Sequence, residues 1–113
     1  MKLVKESITL DEIKIIAKEL FGNMVKVVVD VEKRIMVVGG ELHSDGEAFL
    51  LENGSEQKNL WGINIYPEET NENFIEFDSL INIRPSQGNN SRNVDNPEIR
   101  KKIIEIVSEK IKL

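Results

Sequence analysis

Residues 24–43 read MVKVVVDVEKRIMVVGGELH. Val25, Val27, Val29 and Val31 alternate with Lys26, Val28 and Asp30. A period of two in mainly β-branched residues marks a half-buried strand. Glu32-Lys33-Arg34 forms a short polar break, and apolar residues resume at Ile35. The segment from Ile35 to His43 is therefore expected to pair back as the second strand of a hairpin. Gly39-Gly40 within it points to a bulge or a close backbone approach.

Outward from the hairpin the period changes from two to 3.6. Thr9 stands three residues before Glu12, the spacing of a capping box, and Leu10, Ile13, Ile16, Ala17, Leu20 and Phe21 follow as one apolar stripe before Gly22. At the other end Asn96 can cap a helix with Pro97 in its first position, and Ile99, Ile103, Ile106, Val107 and Ile111 form its stripe. Between them, Leu60 to Tyr66 is expected as a strand with Trp61, Ile63 and Ile65 on one side. Phe74 to Arg84 is expected as another, with Ile75, Phe77, Ile81 and Ile83 on one face. Residues 44–54 admit two readings. Asp45-Gly46 and Asn53-Gly54 are tight-turn dipeptides bracketing a short run, which favours a third strand in a meander. The alternative is a short helix capped by Ser44 or Asp45 and stopped by Gly54.

These elements predict one α+β domain spanning residues 1–113. Its centre is a four- or five-stranded, mainly antiparallel sheet, a meander, with the N- and C-terminal helices packed on one face. The opposite face then carries Lys26, Asp30, Glu41, His43, Asn64, Asn82 and Arg84.

The composition fits that size: 113 residues are 40% apolar and 31% charged, with no cysteine. Disulfides, thiol catalysis and cysteine metal sites are excluded together, and a cytoplasmic protein is expected. No run approaches the roughly 18 apolar residues of a membrane span. Net charge is −5, and from Glu41 to Asp78 ten acidic residues accompany one base, Lys58. That middle argues against nucleic acid as a partner, since such binding needs clustered positive charge.

Two constellations could carry chemistry. In GGELHSDGE, residues 39–47, His43 is the only histidine of the chain, with Glu41 two residues away. An imidazole titrates near neutral pH and suits acid–base work. One histidine with scattered carboxylates is too few ligands for a typical metal site, so neither metal nor cofactor is expected. The plainer alternative is that His43 only forms a hydrogen bond at a strand end. In INIRPSQGNNSR, residues 81–92, Arg84 precedes a loop of amide side chains that leads to a helix start. Arginine presents a fork for carboxylate or phosphate. Gln87, Asn89 and Arg92, with Asn64 and Asn82 from the matching INI triplets, complete the expected ligand-binding set. The alternative is a solvated loop in which Arg84 pairs with Glu76, Asp78 or Glu41.

The blocks GGELHSDGEAFLLENGS, LWGINIYP and SLINIRPSQGN resemble those of a small family of uncharacterised prokaryotic proteins. The resemblance implies a bacterial or archaeal intracellular protein and carries over no site residue. The residues themselves favour a binding or interaction module that recognises a small anionic ligand or a protein partner on the open sheet face. The alternative is a small enzyme with Glu41 and His43 as acid and base and Arg84 holding an anionic substrate. Val28, Ile35 and Val37 on that face predict a homodimer surface.

Overall fold

The computed structural model describes all 113 residues. The hairpin forms where its alternation places it. β3 (Val25–Asp30) and β4 (Ile35–Val38) pair antiparallel, with Val27 opposite Val38 and Asp30 opposite Ile35. The Asp30 carboxylate tethers the turn, accepting from the Glu32 and Lys33 amides at 2.9 Å each and from the Ser55 hydroxyl at 2.7 Å. β4 ends at Val38, short of the expected His43. Gly39 and Gly40 follow at φ 96° and 94°, a left-handed backbone that ends the pleat.

β1 (Lys2–Val4) adds to the outer edge of β4, and β5 (Leu60–Ile65) flanks β3 on the other side, with β6 (Ile75–Glu76) beyond it. The sheet order is β1-β4-β3-β5-β6, all antiparallel. α1 (Leu10–Leu20) and α3 (Pro97–Lys110) follow their caps, with the Thr9 hydroxyl accepting from the Glu12 amide and the Asn96 side-chain Oδ1 from the Glu98 amide. Their ends meet in a second, parallel pair, β2 (Ile8–Thr9) with β7 (Ile111–Lys112). Ile13, Ala17, Ile103, Ile106 and Val107 from the helices join Val25, Val27, Val29, Met36, Val38, Trp61, Ile63 and Ile65 in one core. The α+β class, the antiparallel sheet and the terminal helices on its valine face agree with the sequence reading. No helix is long and apolar enough to cross a membrane.

Two expected strands are overturned. In residues 44–54 the alternative holds: they belong to helix α2 (His43–Glu52) and the turn that ends it, not to a third meander strand. The topology requires it. β4 and β5 lie on either side of β3 and both run antiparallel to it, so they are parallel to each other and need a crossover rather than a tight turn. Asp45 accepts from the Leu42 amide at the helix start, and Gly54 (φ 96°) stops it. α2 lies on the second face of the sheet. A methyl added to Gly46 would sit 2.9 Å from Val28 Cγ2 and 3.0 Å from Val37 Cγ1, so glycine lets the helix approach the strands. Leu50 and Leu60 complete this smaller core with Val28 and Val37. The expected dimer surface at Val28, Ile35 and Val37 is therefore covered by the chain's own helix.

The second correction concerns residues 74–84, where only Ile75 and Glu76 remain strand. Beyond them the chain turns through single 3-10 turns at Leu80–Asn82 and Pro85–Gln87. Side chains take over the pairing of β5's outer edge. The Asn82 carboxamide accepts from the Gly62 amide at 2.8 Å and donates to the Gly62 carbonyl at 2.9 Å, as a neighbouring strand would. The Arg84 guanidinium donates to the Leu60 carbonyl on the same edge and to that of Gln57. Buried backbone groups demand partners, and two polar side chains supply them where no strand continues.

Candidate functional site

With α2 over the middle of the second face and residues 79–82 over Gly62, what stays open is one corner. There a cleft of about 600 Å³ is lined by Lys26, His43, Asn64, Glu76, Asp78 and Arg92, among others. Its floor follows from strand register. Lys26 on β3 is opposite Asn64 on β5, and Asn64 is opposite Glu76 on β6. Directly opposed residues share a face, so cation, amide and anion stand side by side across three strands.

The Asn64 amide nitrogen donates to Glu76 Oε1 at 2.8 Å and lies 3.2 Å from the Asp78 carbonyl. Both partners are acceptors, which fixes the orientation of the carboxamide. Its Oδ1 is left buried without a partner. The Tyr66 hydroxyl donates to the same Glu76 oxygen at 3.1 Å, and burial with this neighbour pushes the Tyr66 pKa up.

His43 is the first residue of α2 and is 8% exposed. Its Nε2 is 2.8 Å from the Ile63 carbonyl oxygen. A carbonyl can only accept, so Nε2 carries the proton and the neutral ring keeps its lone pair on Nδ1. Nδ1 makes no bond within the chain. Burial holds the His43 pKa below its ordinary 6.5, and the charges of Lys26 and Arg92 act in the same direction, against the Ile63 bond and Asp78. Gly62 makes the room: an added methyl there would lie 2.6 Å from Ser79 Cβ and 3.1 Å from His43 Cδ2.

Of the charged lining, Arg92 and Asp78 form an ion pair at 2.6 Å. Lys26 and Glu76 make no ion pair. Lys26 lies over the Phe21 ring, 5.2 Å from its centroid. The exposed side chains of Leu42 and Leu80 add an apolar rim. No group of three histidine or carboxylate side chains could hold a metal ion.

The residues singled out in the sequence divide into two sets. His43, Asn64 and Arg92 meet in this cleft. Asn82, Arg84, Gln87 and Asn89 do not line it and instead hold the 79–95 segment together. Arg84 stacks on Trp61 at 4.2 Å from the ring centroid, and burial lowers its pKa. Gln87 donates to the Lys58 carbonyl at 3.0 Å. The Asn89 amide nitrogen reaches the carbonyls of Asn82, Ser91 and Asn93, while its oxygen accepts from the Asp95 amide. Glu41 faces a different hollow, beside Met1, Lys2 and Glu19, because the chain bends after Gly40 and His43 opens a helix. Lys26, Tyr66, Glu76 and Asp78 escaped the sequence reading as site residues. The alternation that placed Lys26 and Asn64 on one face was the available signal, but only the β5–β6 register adds Glu76.

Comparison with curated proteins and with solved structures returns no match. A family model does match, over residues 2–110, nearly the whole chain. The chain belongs to the family DUF5674, proteins of unknown function.

Proposed function

We propose that the protein is a binding module whose cleft takes a small anionic ligand. One observation carries this reading: His43, whose Nδ1 is an acceptor without a partner in the chain, and Lys26, the cation outside any ion pair, line the same cleft. A ligand N–H or O–H would supply the hydrogen bond that Nδ1 lacks within the chain. Lys26 would receive the carboxylate or phosphate. Arg84, whose fork is engaged with backbone carbonyls, supports the cleft from behind by fixing the chain that forms its wall. The proposed setting is a prokaryotic cytoplasm, as the sequence blocks imply. Nucleic acid is not a proposed partner, since the cleft sets two bases, Lys26 and Arg92, against two acids, Glu76 and Asp78, and offers no cluster of positive charge.

A second reading, proton transfer, has one observation in its favour. A neutral imidazole locked at Nε2 with a free Nδ1 is in the state a general base requires. Glu76 and Asp78, rather than Glu41, are the carboxylates that share its cleft.

Thermal denaturation in graded phosphate and acetate tests the binding reading. Ligand that binds the folded state raises the melting temperature. Wild type and Lys58→Met should respond to at least one anion, and Lys26→Met should not. Equal responses of wild type and Lys26→Met would overturn an anion site in this cleft.

A further inference from the structure

The cleft carries more than a site for one negative charge. Lys26 and Glu76 are opposite charges on the same face, two strands apart, with Asn64 between them. Strands lie about 4.8 Å apart, so the two backbones are separated by roughly 10 Å. Neither side chain has an ion-pair partner, although Arg92 and Asp78 nearby have found each other. Two uncompensated charges of opposite sign at one cleft describe a ligand with both signs.

Resting on the binding role proposed above, we infer that the ligand is a zwitterion with an apolar side chain, of the class of the free aliphatic α-amino acids. Its carboxylate meets the Lys26 ammonium. Its ammonium donates to Glu76 and to His43 Nδ1, both of which belong to residues lining the cleft. The Glu76 oxygen Oε1 is engaged by Asn64 and Tyr66, which leaves Oε2 for the ligand. The lowered pKa of His43 keeps Nδ1 an acceptor at neutral pH, the state an ammonium requires. Leu42 and Leu80, 56% and 67% exposed at the rim, receive the apolar side chain. Charge-assisted hydrogen bonds at both ends of a small ligand give discrimination against analogues lacking either charge, because the site's own group is then left unpaired.

The test is calorimetric titration of the intact protein with leucine, N-acetyl-leucine and leucinamide. The analogues remove the ammonium and the carboxylate respectively. Leucine should bind about tenfold or more tightly than either, the size expected for one lost charge-assisted contact. Glu76→Gln, which keeps the acceptor for Asn64 and Tyr66, should remove the preference over N-acetyl-leucine. Lys26→Met should remove the preference over leucinamide. Leucine binding no better than both analogues would overturn the zwitterion while leaving the cleft a binding site. No binding of any of the three to a protein that phosphate or acetate still stabilises would also overturn it. A protein that responds to none of these probes would overturn both readings.

Discussion

Asn82 gives the most exacting test of how the site's wall is built. It is fully buried, and its carboxamide is the partner of both the Gly62 amide and the Gly62 carbonyl. Asn82→Ala strands those two groups. The Arg92 carbonyl also loses Asn82, but it keeps the Ser79 amide at 3.0 Å and is not stranded. Each buried unsatisfied group costs about 1–3 kcal/mol, so the loss should be about 2–6 kcal/mol. That is a large part of the roughly 5–15 kcal/mol of a small domain. Asn82→Asp is the sharper variant because it conserves shape. The bond from the Gly62 amide survives, but an oxygen replaces the donor facing the carbonyls of Gly62 and Arg92. A carboxyl buried among acceptors has a raised pKa, so the folded state binds more protons than the unfolded one and stability falls as pH rises. Urea denaturation near pH 5 and near pH 8 should show Asn82→Asp more damaged at the higher pH, with an unchanged m-value. A loss below about 0.5 kcal/mol in both variants, the range of an ordinary surface change, would refute the pairing of this side chain with β5.

Three further outcomes follow from the same structure. Ile103→Ala, at a fully buried position of the larger core, should cost about 2–5 kcal/mol in urea denaturation, and a loss under about 0.5 kcal/mol would contradict a core shared by α1, α3 and the valine face. Gly62→Ala should cost about 1–3 kcal/mol by overpacking, because Ser79 and His43 are in its way, and it should weaken any cleft ligand; unchanged stability and binding would contradict the close approach. The third concerns pH. His43 has a folded pKa below the ordinary 6.5, so the unfolded state takes up the proton first. Its contribution is present above pH 6.5 and is lost as pH falls toward the lower folded value. Wild type should therefore lose more stability than His43→Gln on acidification through that range, and parallel curves would count against a buried neutral imidazole.

The hairpin and both terminal helices were legible because each rests on local pattern: alternation at Val25 to Asp30, and a cap followed by a stripe at Thr9 and Asn96. Helix α2 was not, because its competitor was also local. Asp45-Gly46 is a good turn dipeptide, and the reason Gly46 sits in a helix is its contact with Val28 and Val37, residues distant in sequence. The strand expected to continue through Asn82 and Arg84 failed for a related reason. An alternating pattern does not reveal that a polar side chain has replaced the backbone as hydrogen-bond partner. The same fact divided the expected site. Asparagines within strand-like triplets do signal demanding polar positions, yet Asn64 lines the cleft while Asn82 braces the sheet edge, and only their partners tell them apart. Lys26 and Glu76 are ordinary surface charges in sequence and become a pair only through register.

The proposed site depends above all on His43 presenting a neutral Nδ1 acceptor to the cleft. Nitrogen-detected NMR of the imidazole measures this directly, and the signal is unambiguous because the chain has one histidine. The ring should be protonated at Nε2, with an unprotonated Nδ1, and titrate below pH 6.5, and its Nδ1 resonance should shift as leucine is added. A ring protonated at Nδ1, or one that titrates at or above pH 6.5 and is indifferent to leucine, phosphate and acetate alike, would contradict it.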